Sequence, residues 1–351
     1  MLSPSARVLI IKLSSIGDVV HALPVAAALR RHYPQSYLAW AVKPAAAELL
    51  AGNPHLTEVL VIGGRGSAPG LESLPPLTHP FALRGALRSR RFEVAVDMQG
   101  LFKSALLTAL SGARERVGFR NAQEGTFLFY NRRVVPDRKD VHAVEGYFGF
   151  AAALEAPVEP VEFAIAVTDA DRQHAEALVR GHDRVVALVP GARWSSKQWP
   201  AERFAAVAEA LHRDFGCTAA VVGGPGDGAL AARVGAATSA PVLDLTGRTT
   251  LKQLAALFDR GLLTIANDTG PMHISAAVGT PTVAIFGPTD PARLGPYGPG
   301  HATVCARVSC APCRRRECAS RQCLGQITVE QVLAAARALL AARAGREAHG
   351  A

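Results

Sequence analysis

The sequence predicts an α/β protein built from two doubly wound, Rossmann-like domains. Short apolar runs alternate with helical patterns along most of the chain, which is typical of parallel sheets that carry helices on both faces. The length of 351 residues suggests two domains, and a proline-rich stretch at residues 156–160 separates two series of such runs. Hydrophobic residues make up 49% of the chain and charged residues 19%, which allows a substantial core and excludes a disordered or fibrous protein.

The first series predicts an N-terminal domain, which we place at residues 1–160. Arg7–Leu13 is a continuous apolar run typical of a buried strand, and Asp18–His32 follows it as a helix that tolerates Pro24 near its first turns. Further strands and helices are predicted in the order Leu38–Val42, Ala45–Ala51, Glu58–Ile62, Glu93–Asp97 and Leu101–Ser111.

The second series predicts a C-terminal domain at residues 161–351. Strands and helices alternate in the order Arg184–Val189, Pro200–Phe215, Thr218–Val222, Ala229–Thr238, Pro241–Leu245, Leu251–Arg260, Leu262–Ala266, Met272–Val278 and Thr282–Phe286, and an Ala/Leu-rich helix follows at Glu330–Arg343. Ligands of open α/β sheets bind outside the carboxyl ends of the strands. Any motif at a strand–helix turn is therefore a candidate site, and we expect the two domains to face each other across a cleft.

Excess positive charge lies in the first part of the chain and in its tail. The formal charge is +9, and residues 301–351 carry 8 Lys/Arg against 3 Asp/Glu. This excess favours anionic partners such as phosphates or a membrane surface, although an Arg-rich composition accounts for it equally well. No apolar stretch of 18 residues, no signal-peptide cleavage pattern and no nucleic-acid motif is found, so we expect a cytoplasmic protein that does not bind nucleic acid.

The turn between the first strand and the first helix carries a candidate catalytic group. Gly17 allows a close backbone approach, and Ser14 and Ser15 offer donors to an anion or a hydroxyl-rich ligand. Asp18 lies in the first helical turn, where a carboxylate acts as a general base or simply complements the helix dipole. The local pattern alone favours the second interpretation.

Two strand–helix turns of the second series suit a phosphate group. Residues 190–200 combine backbone amides, hydroxyls and Lys197 ahead of a helix. Residues 267–273 form the start of another helix, whose N-terminus can be capped and can also receive a phosphate. The candidate residues of this second turn are Asp268, Thr269, Gly270 and His273.

Gly224–Ala229 offers a rival interpretation. It follows a strand, opens a helix and fits the G-x-G-x-x-A outline of a dinucleotide-binding turn, with Asp244 about 20 residues further on. However, it lies in the second strand unit of its domain, whereas this fingerprint normally belongs to the first. An NAD-type oxidoreductase is therefore the less favoured alternative.

Five of the six cysteines fall in a short, Arg-rich segment, residues 305–323. Four of them follow the spacing C-x2-C-x4-C-x4-C, and they are Cys310, Cys313, Cys318 and Cys323. In a reducing cytoplasm this spacing favours a metal site over disulfides. A structural zinc or iron–sulfur site and unliganded thiols both stay open.

Seven short blocks occur in a fixed order along the chain: KLSSIGDVVHALP (12–24), DMQGLFKSALLT (97–108), FYNRR (129–133), HAVE (142–145), KQWP (197–200), NDTGPMH (267–273) and FGPTDP (286–291). Together they resemble glycosyltransferase family 9, the lipopolysaccharide heptosyltransferases. The first block is more similar to heptosyltransferase I than to heptosyltransferase II. The cysteine-rich tail resembles only a subset of the family.

The resemblance implies a GT-B fold whose N-terminal domain binds an anionic glycolipid acceptor and whose C-terminal domain binds ADP-heptose. It implies inverting transfer to the lipopolysaccharide inner core, on Kdo-lipid A or a heptosyl acceptor, without a metal or other cofactor. Such an enzyme works in the cytoplasm, with peripheral contact to the inner membrane. Another nucleotide sugar as donor, or a non-catalytic binding module, are the alternatives.

Carried over by position, the resemblance makes Asp18 the general base. It assigns the donor to Lys197, Asp268, Thr269, Gly270 and His273, and the acceptor to Ser14, Ser15, Gly17 and Arg120. Arg120 is grouped with the basic residues Arg84, Arg88, Arg90 and Arg91. Ala192 and Arg193 stand where heptosyltransferase I has a Thr-Thr pair, so the local phosphate contact must differ.

Overall fold

The computed structural model describes residues 2–64, 70–135 and 141–349. The chain forms two compact units, Met1–Ala166 (unit 1) and Val167–Ala351 (unit 2). Each unit contains one sheet, and neighbouring strands in both sheets are parallel. The predicted α/β class with two doubly wound sheets is confirmed, and the border between the units lies a few residues beyond the predicted one.

The described residues of unit 1 form seven strands and five helices. The strands are β1 (Arg7–Ile11), β2 (Tyr37–Val42), β3 (Glu58–Ile62), β4 (Leu71–Leu74), β5 (Val94–Asp97), β6 (Glu115–Phe119) and β7 (Arg132–Val134). The helices are α1 (Ile16–His32), α2 (Pro44–Leu50), α3 (Pro80–Arg88), α4 (Phe102–Leu110) and α5 (Ala143–Ala153), and Thr126–Phe129 forms a 3-10 turn. The spatial order β4-β3-β2-β1-β5-β6-β7 places β1 at the centre of the sheet.

The central position of β1 follows from its sequence. RVLII is apolar almost throughout, and residues 8–11 are fully buried because a parallel sheet is covered on both faces. Helix α1 is also apolar, with 12 buried residues, and packs against α5. Its last turn is basic and complements the helix dipole, and Arg30 donates to the carbonyls of His55 and Ser36. This packing holds the start of α1 at the carboxyl end of β1.

In the part of unit 2 that the structure describes, residues 167–349, there are six strands and eight helices. The strands are β8 (Val185–Val189), β9 (Thr218–Val221), β10 (Val242–Asp244), β11 (Leu263–Asn267), β12 (Thr282–Phe286) and β13 (His301–Cys305). The helices are α6 (Asp169–Leu178), α7 (Ala201–Phe215), α8 (Gly228–Ala236), α9 (Leu251–Arg260), α10 (Gly270–Ala277), α11 (Pro291–Leu294), α12 (Gln322–Gly325) and α13 (Val329–His349). The spatial order is β10-β9-β8-β11-β12-β13.

Several short or edge elements were not predicted from the sequence. They are β4, β6, β7 and β13 among the strands and α3, α5, α6, α11 and α12 among the helices. These strands have three to five residues, which leaves little periodicity to detect. The last helix is longer than predicted and packs back on the core of unit 2 through Val332, Leu333, Ala336 and Leu340. Within the described ranges, none of the helices is both long and apolar enough to cross a membrane.

Candidate active site

In unit 1, Asp18 is fixed by the turn that joins β1 to α1. It is the third residue of α1, and its Oδ2 accepts hydrogen bonds from the backbone N–H of Ser15 (2.9 Å) and from the Ser15 hydroxyl (2.8 Å). Its Oδ1 lies 3.8 Å from Nζ of the buried Lys12. The side chain of Asp18 is still 39% exposed, so the carboxylate remains accessible to a ligand.

The end of β5 supports the same turn from the next strand. The Lys12 ammonium donates to the Met98 carbonyl at 3.1 Å and lies 5.0 Å from the centre of the Tyr147 ring. Oε1 of Gln99 accepts hydrogen bonds from the backbone N–H groups of Leu13 (3.2 Å) and Ser14 (3.1 Å). The residues that sequence reasoning missed here, Lys12 and Gln99, both lie at the carboxyl edge that the motif had indicated.

The charge state of Asp18 is set by opposing effects. Burial alone would raise the pKa of this carboxyl group, but the Lys12 ammonium and the hydrogen bonds from Ser15 outweigh burial and hold the pKa below its ordinary value of 3.8. The opposite holds for Asp97, where burial raises the pKa despite hydrogen bonds that include one from the Tyr130 hydroxyl at 2.7 Å. Asp18 therefore stays ionised at neutral pH.

The other acceptor candidates are only partly brought together. Ser14, Ser15 and Gly17 lie in the Asp18 turn, and exposed Arg120 directly follows β6 at the same edge of the sheet. The remaining basic residues lie around the end of α3, and Arg90 there pairs with Glu58 at 2.5 Å, at the amino end of β3. The structure thus separates Arg120 from Arg88, Arg90 and Arg91, because helix α3 runs from the carboxyl edge to the amino edge.

In unit 2, Lys197 and Asp268 form an ion pair with an N–O distance of 2.5 Å. Asp268 directly follows β11, is 5% exposed, and also accepts a hydrogen bond from the Thr289 hydroxyl at 2.5 Å. The preceding residue, Asn267, accepts from the Trp199 backbone N–H at 3.1 Å and donates to the Pro190 carbonyl at 2.8 Å. These bonds attach residues 190–200, which we name the Lys197 loop, to the end of β11.

Helix α10 begins beside this ion pair. Thr269 is its N-cap residue in an extended conformation and uses no side-chain capping bond, while Gly270 and Pro271 open the first turn. His273 is buried one turn in. The N-terminus of a helix with a nearby lysine is a favourable site for an anion, because the amides and the helix dipole both attract negative charge.

The cysteine-rich segment packs onto the Lys197 loop. The hydroxyl of buried Ser196 donates to the Arg315 carbonyl at 2.6 Å, and its backbone N–H donates to the Arg316 carbonyl at 3.4 Å. Two cations lie against the Trp194 ring as a result: Lys197 Nζ is 4.6 Å from the ring centre and Arg316 Cζ is 5.6 Å from it. Sequence reasoning missed Trp194 and Arg316 because 122 residues separate them.

A metal site in this segment is not assembled. Among the described residues, no group of three or more His, Cys, Asp and Glu side chains is placed to hold a metal ion. All six cysteines are free thiols, and those of the predicted site differ in environment: Cys323 is buried, Cys310 is exposed, and Cys313 and Cys318 are intermediate. The zinc or iron–sulfur site that the spacing suggested stays a prediction.

In the Gly224 turn, the space where a dinucleotide phosphate would bind is filled by the side chain of Asp227, which belongs to the same turn. Oδ2 of Asp227 accepts a hydrogen bond from the Gly224 backbone N–H at 2.8 Å. A Cβ atom added to Gly191 would lie 2.6 Å from Oδ1 of Asp227, so this carboxylate fills the space between the turns after β8 and β9. A dinucleotide pyrophosphate would meet a negative charge there, which disfavours the oxidoreductase interpretation.

Comparisons with known proteins agree with this geometry. The family model of glycosyltransferase family 9 (heptosyltransferase) matches residues 81–324. Lipopolysaccharide heptosyltransferase 1 of Pseudomonas aeruginosa is 30% identical over 89% of this chain and 87% of its own length. The structure is similar to that of the E. coli heptosyltransferase WaaC with ADP, with a TM-score of 0.73 and 25% identity over 95% of this chain and 99% of that one. A glycosyltransferase of family 9 from Veillonella parvula gives a TM-score of 0.81 at 24% identity, over 96% and 99% of the two chains. These structures confirm the predicted GT-B fold.

Proposed function

Since this chain belongs to glycosyltransferase family 9 and is therefore a transferase, we propose that it moves heptose from ADP-heptose to the lipopolysaccharide inner core. The acceptor is Kdo-lipid A or a heptosylated core. The observation that carries the proposal is the cationic Lys197 loop beside the N-terminus of α10, which suits a departing diphosphate. Unit 2 accordingly takes the donor, and unit 1 takes the acceptor at the Asp18 turn.

In the transfer step, Asp18 accepts the proton of the acceptor hydroxyl. The hydroxyl oxygen forms a bond to the anomeric carbon while the bond from that carbon to the β-phosphate oxygen of ADP breaks, and attack from the opposite face inverts the configuration. ADP leaves with the electron pair of the broken bond. The Lys12 charge keeps Asp18 ionised before the step, and the remaining exposure of Asp18 gives the hydroxyl access.

The leaving diphosphate needs positive charge, and unit 2 supplies it from three sources. Lys197 is the first, and the helix N-terminus at Thr269 and Gly270 is the second. Arg316 is the third, since it shares the Trp194 ring with Lys197 and offers a cation where the Thr-Thr pair of heptosyltransferase I is absent. Asp268 holds Lys197 in place, and His273 completes the wall of the pocket. No divalent cation or other cofactor is needed, because these groups stabilise the same charge.

The proposal is tested by measuring release of the nucleoside diphosphate (ADP, UDP or GDP) and formation of the glycosylated acceptor with a panel of donors and acceptors. ADP-heptose, ADP-glucose, UDP-glucose and GDP-mannose are each offered with Kdo-lipid A and with its heptosylated form. We expect turnover with ADP-heptose and one of the two acceptors only. Equal turnover with a non-ADP donor supports the alternative, a family 9 transferase with another nucleotide sugar, and hydride transfer with NAD would contradict the transferase assignment at this site.

The acceptor class also suggests where the enzyme works. A Kdo-lipid A acceptor is anchored in a membrane by its acyl chains and carries negative charge. We therefore place the enzyme in the cytoplasm, with peripheral contact to the inner face of the inner membrane. Fractionation of cells that express the tagged chain tests this location, and release from the membrane fraction by salt is the expected behaviour of a peripheral protein.

A further inference from the structure

Exposed apolar side chains are concentrated on one edge of unit 1. Among the residues that the structure describes, five large apolar side chains are exposed, and we name them the apolar edge: Phe81, Phe102, Phe127, Leu128 and Val135. Phe81 is 86% exposed and Leu128 74%. Single exposed apolar residues are normal on a protein surface, but a cluster marks an interaction site, and Phe102, Phe127 and Leu128 cluster where α4 meets the 3-10 turn.

These residues share a position in the fold. Phe81 and Phe102 start helices α3 and α4, which follow β4 and β5, and the two helices pack together. Val135 directly follows β7. Because all seven strands are parallel, these positions lie beyond the carboxyl ends of the strands. The 3-10 turn with Phe127 and Leu128 packs against the start of α4, since the rings of Phe129 and Phe102 are 6.0 Å apart at a steep angle.

Cations are interspersed with the apolar residues. Exposed Lys103 follows Phe102, and the guanidinium of Arg133 lies 5.5 Å from the centre of the Phe127 ring. The nearby Glu124 accepts a hydrogen bond from the Phe102 backbone N–H at 2.7 Å and so complements the start of α4. Aromatic and aliphatic side chains mixed with Lys and Arg are the composition of surfaces that lie in the interface of an anionic bilayer.

The apolar edge is continuous with the supports of the Asp18 turn. Gln99, which binds the backbone of that turn, is three residues from Phe102. Tyr130, which follows the 3-10 turn, donates its hydroxyl to Asp97 at the end of β5. The start of α4 and the end of the 3-10 turn are therefore both attached to the end of β5, whose Gln99 also positions the Asp18 turn.

We propose that the apolar edge is a membrane-docking surface that inserts into the headgroup region of an anionic bilayer. This inference rests on the proposed function, because a lipid-anchored acceptor presents its sugar at the bilayer surface. Docking through this edge keeps the acyl chains in the membrane while the sugar reaches Asp18. The aromatic and aliphatic side chains supply apolar burial, and Lys103 and Arg133 supply attraction to anionic headgroups.

The test is co-sedimentation of the full chain with vesicles of phosphatidylcholine alone or with one-third phosphatidylglycerol, without donor or acceptor. The apolar variant is Phe127→Ser with Leu128→Ser, and the charge variant is Lys103→Gln with Arg133→Gln. Arg180→Gln with Arg248→Gln is the matched control, because it removes two exposed cations from unit 2. Circular dichroism checks that all variants keep the fold.

We expect the parent and the control to bind the anionic vesicles at low salt. Each edge variant should bind at least tenfold more weakly. The charge variant loses two cations, each of which contributes about fivefold near an anionic surface, and the apolar variant loses the side chains that are buried in the headgroup region. Transfer to a deacylated, soluble acceptor should be unchanged in the edge variants, whereas transfer to an acceptor embedded in vesicles should fall.

Two outcomes overturn the inference: a parent that does not bind anionic vesicles, and edge variants that bind as the parent does. A parent dimer that the Phe127→Ser, Leu128→Ser variant dissociates, with no vesicle binding, would assign the edge to a second copy of the chain instead. Vesicle binding that depends on the edge, together with a parent that transfers no heptose, keeps the surface and refutes only the proposed function.

Discussion

Replacing Asp18 by asparagine separates the two roles of this residue, as proton acceptor and as part of the helix start. Asparagine keeps the size and one acceptor oxygen, but it cannot take a proton from the acceptor hydroxyl. General bases typically contribute about 10²–10⁴-fold to the rate, which is about 3–5 kcal/mol of barrier. We therefore expect the turnover number of the Asp18→Asn variant to fall by that factor, with little change in ADP affinity.

The chain contains a matched control for the structural role. Asp171 is the third residue of α6, and its Oδ2 accepts from the Thr168 backbone N–H at 2.9 Å and from the Thr168 hydroxyl at 2.7 Å. The corresponding distances from Ser15 to Asp18 are 2.9 and 2.8 Å. Asp171→Asn thus removes the same charge from an equivalent helix start, and we expect a loss of about 0.3–1 kcal/mol of stability and no loss of turnover.

The stability cost at Asp18 is larger because the buried Lys12 loses its partner. Solvent screens the Lys12–Asp18 pair because Asp18 is 39% exposed. We therefore expect loss of the pair to lower the free energy of unfolding by about 1 kcal/mol or less beyond the loss at the helix start. The pKa of Asp18 is lower in the folded chain than its ordinary value of 3.8, so its contribution to stability is present above that value and is lost as pH falls through the folded pKa. The stability difference between parent and variant should therefore shrink at acidic pH.

The assay is steady-state transfer with ADP release as readout, and donor binding is measured separately by calorimetry. Because the base stays ionised, the parent should show no acid limb of kcat/KM from Asp18 between about pH 5 and 8. Turnover of Asp18→Asn within about threefold of the parent, with stability lowered as in Asp171→Asn, would refute the reasoning. Asp18 would then be only a helix-start residue.

Three further predictions concern the donor side. Lys197→Ala should weaken ADP binding by about 10–100-fold in calorimetry, because it removes a cation and leaves the Asp268 carboxylate without its lysine near the phosphates. Unchanged affinity and unchanged turnover would show that Lys197 is only a surface charge. Arg316→Ala should weaken ADP binding severalfold and reduce the salt dependence of binding, whereas Arg314→Ala, which removes a neighbouring exposed cation, should not. Equal effects of the two variants would show that Arg316 adds only to the overall positive charge and makes no specific contact with ADP. Transfer should continue after exhaustive chelation with the fold monitored in parallel, and activity lost on chelation but restored by magnesium would contradict the metal-independent step.

The elements that the sequence predicted best have strong local signals. Leu251–Arg260 has the same bounds in the prediction and in the structure, because Thr250 and Gln253 form a capping box and Gly261 follows the last turn. Glu58–Ile62 and Thr282–Phe286 also agree, since they are continuous apolar runs in the interior of parallel sheets. Helices and strands with such signals need little tertiary information.

The elements that the sequence did not predict depend on distant residues. Gly118 weakens the strand pattern of β6, yet a Cβ atom there would collide with the Tyr130 ring, so the glycine is required by packing and not by the strand. Helix α3 buries only Leu83 and Leu87 and contains Gly85, which leaves a weak periodic signal. For β6, the contact that requires the glycine lies outside the strand itself, at Tyr130.

The candidate site shows the same division. Asp18, Lys197 and the start of α10 were predicted because each lies on a local strand–helix motif, but their partners follow from the order of the strands. Lys197 meets Asp268 because β8 and β11 are neighbours with their carboxyl ends together. Local motifs therefore identify where a site lies, and sheet topology decides which charges it contains.

Arg316 extends this argument to the chemistry of the donor loop. The pair Ala192 and Arg193 indicated that the phosphate contact differs from that of heptosyltransferase I, but no local pattern could say what replaces it. The cysteine-rich segment returns to the loop because its backbone carbonyls accept the two hydrogen bonds of buried Ser196, and this brings Arg316 over Trp194 beside Lys197. Under the proposed function, a segment whose spacing suggested metal binding would contribute through Arg316, whose guanidinium adds positive charge for the diphosphate.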